Sequence, residues 1–361
     1  MREPRLLPIS IAPGRGLALN RCKRKQGRIY LDRHLHDLQI WAGEHLMQVF
    51  ALQGDREALV NSWSEVAGDA SGRRYFRLAP QGHSAIVMDS SADIDSAVAF
   101  ARVAELMREG GVQVPRIYSA EFERGYMLLE DFGNHMLKKE LADDAGDRLF
   151  KLILPVLQEL ANSSCDGLPD YSRAKLEEEL DLFDNFFLQR HKNYCMSVDE
   201  RATWNQLKTL LIDSAIKQLQ VLVHRDFHSC NLHLLPDGSV GVIDFQDAVQ
   251  GPITYDLASW LWDRYIHWPR SDIEHWAEEA RLALVASTGL QCDAGQWMTT
   301  VDLMGLQRNL KIVGIFARLY YRDAKEGYVE MIPQFASYIR DVAPRYPQLA
   351  FALPSLERWL Q

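Results

Sequence analysis

The sequence predicts an α+β fold of two lobes, a small β-rich N-terminal lobe over 32–132 and a larger, mostly helical C-terminal lobe over 133–361. Short β-branched and aromatic runs, separated by turn residues, lie between residues 66 and 129. Long segments with helical periodicity dominate after residue 145. The chain has 361 residues, 47% hydrophobic and 25% charged, which is enough for one large or two modest cores.

The segment before these lobes, residues 1–31, is set apart by its charge. Its Arg and Lys side chains face a single acidic residue, Glu3, whereas the whole chain has a formal net charge of −9. Pro8 and Pro13 interrupt its apolar residues, so it lacks the continuous apolar core of a signal peptide. We predict a basic, disordered extension over 1–31, followed by an amphipathic helix through Gln48.

In the N-terminal lobe, residues 66–78 predict a β-hairpin whose turn, Gly68-Asp69-Ala70-Ser71-Gly72, is rich in glycine. Residues 85–88 predict a third strand. The other elements predicted in this lobe are a helix over 95–109, a strand that begins after Pro115, a strand over 126–129 and a hinge over 130–133. The C-terminal lobe should contain helices rich in Trp, and these Trp side chains are expected to form its core: Trp260, Trp262, Trp268, Trp276 and Trp297.

The most informative segment of the chain is His224-Arg225-Asp226-Phe227-His228-Ser229-Cys230-Asn231. Its spacing, H-R-D-x-x-x-x-N, is typical of phosphoryl transfer, in which the Asp accepts the proton of an attacking hydroxyl and the Asn binds Mg²⁺. A second carboxylate, Asp244, follows another apolar run. Because the turn Pro236-Asp237-Gly238 separates the two runs, we expect them to pair as one hairpin that brings Asp226, Asn231 and Asp244 together.

Segment 247–259 then adds the pattern G-P-x-x-Y-D-L-A. With H-x-D-x-H-x-x-N and I-D-F-x-D-A, it resembles the aminoglycoside phosphotransferase and choline kinase group, whose members phosphorylate small molecules on a protein-kinase-like fold. Within that group, several segments together resemble the anomeric N-acetylmuramate/N-acetylglucosamine kinases of bacterial cell-wall recycling: 71–77, 87–89, 128–133, 244–248 and 306–311. The resemblance covers roughly residues 33 to 361.

The resemblance implies ATP and Mg²⁺ as cofactors and a small-molecule amino sugar as partner. In this interpretation Asp226 is the catalytic base, and Asn231 and Asp244 hold the metal. His224 and Asp256 are expected to brace the catalytic loop rather than exchange protons. Nucleotide contacts are expected from the turn residues, from the hinge and from two arginines: Gly68, Ser71, Gly72, Glu130, Phe132, Arg74 and Arg77.

One position departs from the usual kinase pattern. The third strand normally carries a Lys that binds the α- and β-phosphates, but Met88 stands at the corresponding place. Another basic residue must then supply the charge if the chain is a functional kinase. Arg74 and Arg77 lie on opposite faces of the second strand by alternation, so only one of them can face the phosphates.

The acceptor side is expected around residues 307–311, where Arg308, Asn309 and Lys311 interrupt an otherwise apolar helix. They either line a sugar pocket or form a buried polar network. Asp247, just after the metal carboxylate, is a further candidate. Since the net charge gives no general attraction for an anionic sugar, Arg308 or Lys311 would have to receive the carboxylate of muramate.

Two other functions remain open at this point. The chain could phosphorylate another small hydroxyl acceptor, of the aminoglycoside, choline or homoserine type, or it could be a nucleotide-binding pseudokinase. The net charge argues against a nucleic-acid partner, and no apolar stretch approaches the ~20 residues that span a bilayer. Five dispersed cysteines without CxxC spacing indicate neither disulfides nor zinc, so we expect a cytoplasmic protein.

Overall fold

The computed structural model describes residues 16–53, 62–66, 73–142 and 145–361, with the side chains of the first helix described from residue 33. The chain divides into two compact units. The first extends to Ala97 and includes Ile117–Asp131, and the second comprises Val98–Arg116 and Phe132–Gln361. The division after Asp131 lies one residue before the predicted boundary. Residues 98–116, predicted to belong to the first lobe, are part of the second unit.

The first unit contains one long helix and an antiparallel sheet. Helix α1 spans Gly16–Phe50. The strands are β1 (Trp63–Val66), β2 (Arg74–Leu78), β3 (Ala85–Asp89), β4 (Ile117–Glu121) and β5 (Tyr126–Glu130). They form a five-stranded sheet in the order β1-β2-β3-β5-β4. The predicted hairpin is confirmed, because β1 and β2 pair with Val66 opposite Tyr75. Its turn, with Gly68, Ser71 and Gly72, lies outside the described residues.

Helix α1 packs one apolar stripe on this sheet. Leu38, Trp41, Ala42 and Leu46 recur at helical spacing and are buried against strand residues that include Phe76, Leu78, Ala85 and Val87. The helix begins at Gly16, so residues 16–31, which we expected to be disordered, have a helical backbone. No proline interrupts the chain between Gly16 and Phe50, and the helix therefore continues without a break beyond its packed stripe.

The second unit is built mainly of helices, and the chain enters it along helix α2 (Ile94–Glu109). The following helices are α3 (Gly146–Asn162), α4 (Arg173–Leu182), a π-helix (Phe183–His191), α5 (Val198–Ile216), α6 (Tyr255–Leu261), α7 (Arg270–Thr288), α8 (Ala294–Tyr321), α9 (Ile332–Val342) and α10 (Leu353–Leu360). The five tryptophans expected in the core are buried. Among the described residues, no helix has the length and hydropathy needed to cross a membrane.

Two small sheets carry the catalytic segment, and their pairing differs from the expectation. Strand β6 (Gln220–Val223) pairs with β9 (Val249–Pro252), whereas β7 (Leu232–Leu234) pairs with β8 (Val240–Val242). The predicted hairpin between the runs before His224 and before Asp244 is therefore wrong. The turn closes the shorter hairpin instead, because Gly238 adopts a φ of 85° and donates its N–H to Leu235 O at 2.9 Å.

Helix α8 forms the centre of the second unit and is buried along most of its length. Gly314 allows its backbone to approach the junction of α4 and the π-helix, where a Cβ at position 314 would lie 2.4 Å from the carbonyl carbon of Leu182 and from the backbone nitrogen of Phe183. This close approach positions α4 beside the polar residues of α8.

Candidate active site

The catalytic loop begins where β6 ends and is fixed by hydrogen bonds to its backbone. The N–H groups of His224 and Arg225 donate to the two carboxylate oxygens of Asp256, at 2.7 and 3.1 Å. The buried ring of His224 bonds through Nε2 to the carbonyl oxygen of Ile243 at 2.9 Å. This last bond ties the end of β6 to the residue before Asp244, so the loop and the second acidic segment are held side by side.

The structure brings Asp226, Asn231 and Asp244 together, although by a different pairing of strands. The Asn231 side chain donates Nδ2–H to the backbone carbonyl oxygen of Asp226 at 3.0 Å, and the backbone carbonyl oxygen of Asn231 accepts from the N–H of Ile243 at 3.0 Å. Asp244 has a φ of 63° and Arg225 a φ of 75°, both in the left-handed region. Such backbone strain in non-glycine residues concentrates at functional sites.

These groups fit a magnesium ion bound together with a nucleotide. Because Asn231 donates through Nδ2, its Oδ1 is the atom that can coordinate Mg²⁺, and Asp244 adds a carboxylate. Within the described part of the chain, no group of three or more His, Cys, Asp and Glu side chains could hold a metal. Mg²⁺ commonly takes only one or two protein oxygens and completes its octahedron with phosphates and water. Asn231 and Asp244 would therefore supply only part of the coordination of Mg²⁺, and the phosphates of the nucleotide would supply further ligands.

A cavity of about 250 Å³ lies beside Asp226. Its walls include three of the four predicted acceptor residues, Asp247, Arg308 and Lys311. The side chain of Asp226 is accessible from this cavity, although protein packs densely around the loop. Asn309, the remaining predicted acceptor residue, is buried on the same helix and does not line the cavity. Neither polar atom of its amide has a hydrogen-bond partner among the described residues.

A buried acidic residue that the sequence did not single out, Glu179 on α4, organises the basic groups of this cavity. It forms ion pairs with Arg225 and with Lys311, whose Nζ lies 3.2 Å from Oε2, and it accepts a hydrogen bond from the hydroxyl of Tyr171. Lys311 Nζ also donates to the hydroxyl of Tyr255 at 2.9 Å. The carboxylate of Glu179 thus fixes both Arg225, the residue before Asp226, and Lys311 of the cavity.

One signal for Glu179 was present in the sequence. The run Glu177-Glu178-Glu179 resembles a solvated helix face, but Glu179 lies three residues after Leu176 and next to Leu180. Both leucines are fully buried, so Glu179 belongs to the buried stripe of the helix. An acidic residue on such a stripe indicates a buried ion pair, because an unpaired charge there would be costly.

Burial and the charges around the loop decide the protonation states of Asp226, Glu179 and His228. Burial alone would raise the pKa of Asp226, but nearby positive charges, including Lys311 and Arg225, outweigh burial and lower it. Burial also opposes ionisation of Glu179, yet Lys311 and Arg225 lower its pKa. Burial, reinforced by the charge of Arg264, lowers the pKa of His228 to about 3. At neutral pH Asp226 is therefore ionised and His228 is neutral.

Asp256 behaves differently from the other carboxylates of the loop. Burial raises its pKa to about 6, and the charge of Asp226 adds to the increase, whereas the hydrogen bonds from the backbone of His224 and Arg225 oppose it. The group that holds the loop backbone is thus close to titration near neutral pH. Its protonation is a physical link between pH and the stability of the loop.

In the first unit, the face of the sheet that carries Met88 is defined by the packing of α1. Phe76 and Val87 face α1, so alternation directs Met88 and its cross-strand neighbour Tyr75 to the opposite face. Met88 is fully buried. The position where kinases usually place a lysine is therefore occupied by a buried apolar side chain.

The two arginines expected to replace this lysine each have an acidic partner. Arg74 lies on the α1 face, over the ring of Phe76, with its guanidinium 3.5 Å from Glu65. Arg77 lies on the Met88 face and donates to both carboxylate oxygens of Asp131, at 2.6 and 2.8 Å. This bidentate pair neutralises Arg77 and ties β2 to the hinge segment.

Arg73, which sequence reasoning did not select, shares the Met88 face by alternation. It is buried and donates to the hydroxyl of Ser96 on α2 at 3.2 Å. Of the hinge residues, Glu130 ends β5 and is half-buried. The ring of Phe132 lies against Gly241, where a Cβ would come within 2.6 Å of it. A nucleotide contact from Phe132 would therefore have to come from its backbone.

A family model described as phosphotransferase enzyme family matches residues 62–288. The chain belongs to this family. It is 36% identical over 321 residues to an N-acetylmuramate/N-acetylglucosamine kinase of Pseudomonas putida, covering 88% of this chain and 94% of that protein. Proteins with the same name from Pseudomonas aeruginosa and Neisseria meningitidis are 34% and 37% identical, covering 88% and 79% of this chain and 95% and 86% of theirs. The prediction of a phosphotransferase enzyme is confirmed.

Solved structures confirm the predicted fold class. A choline/ethanolamine kinase family protein from Mesorhizobium loti superposes with a TM-score of 0.58 at 11% identity, covering 87% of this chain and 99% of that one. An ethanolamine kinase from Plasmodium vivax gives a TM-score of 0.56 at 11% identity, covering 87% and 89%. Since identity is this low, these structures establish the kinase-like fold alone.

Proposed function

We propose that the chain is an ATP-dependent kinase that phosphorylates the anomeric hydroxyl of N-acetylmuramate and N-acetylglucosamine. The names of its relatives support this choice of acceptor. The observation that carries the proposal is the cavity beside Asp226, which offers one accessible, ionised carboxylate next to a pair of Mg²⁺-type ligands. Aminoglycoside, choline and homoserine kinases, and a pseudokinase, remain the alternatives that the test must exclude.

The geometry supports a direct transfer. Asp226 would accept a hydrogen bond from the anomeric hydroxyl and take its proton late, as the bond from sugar oxygen to γ-phosphorus forms and the bond from γ-phosphorus to the ADP oxygen breaks. Asn231 and Asp244 would hold Mg²⁺, which when bound neutralises charge on the phosphates. The anomeric hydroxyl is more acidic than other sugar hydroxyls, so a carboxylate with a lowered pKa suffices as the base.

The experiment that tests this function is an acceptor screen that follows ADP release, with NMR of the products. We expect turnover of N-acetylmuramate and N-acetylglucosamine, with phosphate on the anomeric oxygen, and poor turnover of glucose. A site with buried polar partners for the acetamido group rejects a sugar that lacks it. Phosphate on another oxygen, or turnover confined to aminoglycosides, choline or homoserine, would contradict the proposal. Nucleotide binding without any turnover would indicate a pseudokinase.

The two carboxylates offer a sharper test of the site itself. Asp226→Asn should lower kcat by roughly 10²–10⁴-fold, because the acceptor loses its base. Asp244→Asn should lower kcat comparably and also weaken Mg²⁺-dependent nucleotide binding, measured by calorimetry. Asp237→Asn, a change at the exposed hairpin turn, is the matched control and should leave kcat intact. Near wild-type rates for Asp226→Asn and Asp244→Asn would show that the site is assigned wrongly.

A further inference from the structure

We infer that Arg318 binds the carboxylate of N-acetylmuramate and sets the preference of the enzyme for this anionic sugar over N-acetylglucosamine. The inference rests on the proposed function, because it concerns the acceptor of the same site. Arg318 lines the cavity from helix α8, yet it was not selected from the sequence, which favoured Arg308 or Lys311. The charges of the cavity, the spacing of its residues and the dimensions of the sugar lead to this residue.

The charge of the cavity favours an anionic occupant. Five basic and four acidic side chains line it, although the whole chain carries a net charge of −9. Two of the basic groups, Lys311 and Arg225, share the single carboxylate of Glu179, and Lys175 pairs with Glu178 at 3.1 Å. Lys311 also donates to the hydroxyl of Tyr255, so its contacts are already made within the protein.

Two arginines remain without an ion pair among the described residues, and they lie at different places. Arg308 donates to the carbonyl oxygen of Trp262 at 3.3 Å and lies within the electrostatic influence of Asp226 and Asp263. Arg318 is half-buried, and its Nε has no hydrogen-bond partner within the described part of the chain. The charged groups with the largest influence on Arg318 are Arg322, Asp323, Glu179 and Glu178.

The spacing along α8 matches the length of the sugar. Arg318 lies seven residues beyond Lys311, or about 10 Å along the helix, and ten residues beyond Arg308, or about 15 Å. In N-acetylmuramate, six covalent bonds separate the anomeric oxygen from the carboxyl carbon, a span of roughly 7 Å. A hydrogen bond of about 2.8 Å at each end extends this to roughly 12 Å. Arg308 lies within the electrostatic influence of Asp226, at the reacting end of the acceptor. The carboxylate at the other end of the sugar is therefore better matched by Arg318, the cavity arginine about 15 Å further along α8.

The state of the guanidinium also favours a bound anion. Burial, together with the charge of Arg322, lowers the pKa of Arg318, so a carboxylate would compensate a charge that its surroundings stabilise poorly. N-acetylglucosamine has an uncharged hydroxyl at the position of the lactyl ether, so it has no carboxylate to pair with Arg318. Arg318 should therefore affect muramate and leave glucosamine unaffected.

The experiment compares Arg318→Gln with Arg322→Gln, using N-acetylmuramate and N-acetylglucosamine as acceptors. Arg322 lies four residues further on, is exposed and pairs with Asp323, so its replacement removes the same charge from outside the cavity. We expect Arg318→Gln to raise the KM for N-acetylmuramate tenfold to hundredfold, the value of a hydrogen bond between charged groups. The kcat, and the KM for N-acetylglucosamine, should stay within about twofold. Arg318→Lys should restore part of the loss.

A second measurement keeps the inference testable if Arg318→Gln proves unstable. For the wild-type enzyme, the neutral methyl ester of N-acetylmuramate should show the same increase in KM over the free acid. Equal effects of Arg318→Gln on both sugars, no effect on either, or a muramate-selective effect of Arg308→Gln instead would overturn the inference while the proposed function stands. Failure of the wild-type enzyme to use either sugar would overturn the proposed function and the inference with it.

Discussion

The catalytic loop of the second unit and the Met88 face of the first unit differ in how their charges are paired, because one carboxylate serves two cations beside the loop. Around the loop, Glu179, Arg225 and Lys311 are buried and pair with one another. On the sheet, Met88 is buried, and Arg77 has a partner of its own, Asp131 of the hinge segment. Loss of Glu179 should therefore damage both fold and site in the loop region, whereas loss of Arg73 on the sheet should mainly damage binding.

The largest expected effect concerns Glu179. Glu179→Gln removes the common partner of Arg225 and Lys311 and leaves two buried cations without compensation. Breaking a buried ion pair in this way costs about 3–5 kcal/mol of unfolding free energy. Chemical denaturation should reveal this loss, and kcat should fall with it because Arg225 precedes Asp226, the proposed base.

The neighbouring residue provides the control. The side chain of Glu178 is 70% exposed, against 6% for Glu179, and it pairs with Lys175 on the surface. Glu178→Gln should therefore change the unfolding free energy by no more than about 0.5 kcal/mol. If the two substitutions were equally mild, the comparison between the two regions would fail, because the buried network would then contribute little to stability.

The next effect is a pH dependence from Asp256. Its pKa is raised from the ordinary value of 3.8 to about 6, so folding favours the protonated form. This contribution is fully present below about pH 4 and is lost as the pH rises through 6, an effect of about 3 kcal/mol. The unfolding free energy of the wild type should decrease over this interval relative to that of Asp256→Asn. Parallel pH profiles for the two proteins would contradict this origin.

The smallest expected effect tests the sheet. Arg73 shares the Met88 face, whereas Arg74 faces α1, and we expect Arg73 to supply the cation that the third strand lacks. Arg73→Ala should raise the KM for ATP about tenfold, or about 1.4 kcal/mol, with little change in kcat. Arg74→Ala is the matched control and should leave ATP kinetics unchanged. The reverse order would restore Arg74 as the replacement for the lysine.

Local sequence patterns predicted the strands of the first unit and the contact between the catalytic loop and Asp244, because alternation and motif spacing act over a few residues. The partner of β6 was predicted wrongly, because a long stretch of chain separates β6 from β9 and no local signal specifies their pairing. Glu179 and Arg318 were not selected for a related reason. Their roles depend on helices α4 and α8 meeting, which local periodicity does not determine.

The left-handed backbone of Arg225 and Asp244 has a consequence for how this protein would respond to selection. Each such residue typically costs of order 1–3 kcal/mol, which the surrounding structure must sustain. Laboratory evolution for heat resistance alone would relieve that strain by admitting glycine at Asp244, whereas glycine at Arg225 would lose the buried ion pair with Glu179. The resulting proteins would unfold at higher temperatures but lack a metal carboxylate of the proposed site, so stability and activity should diverge first at Asp244.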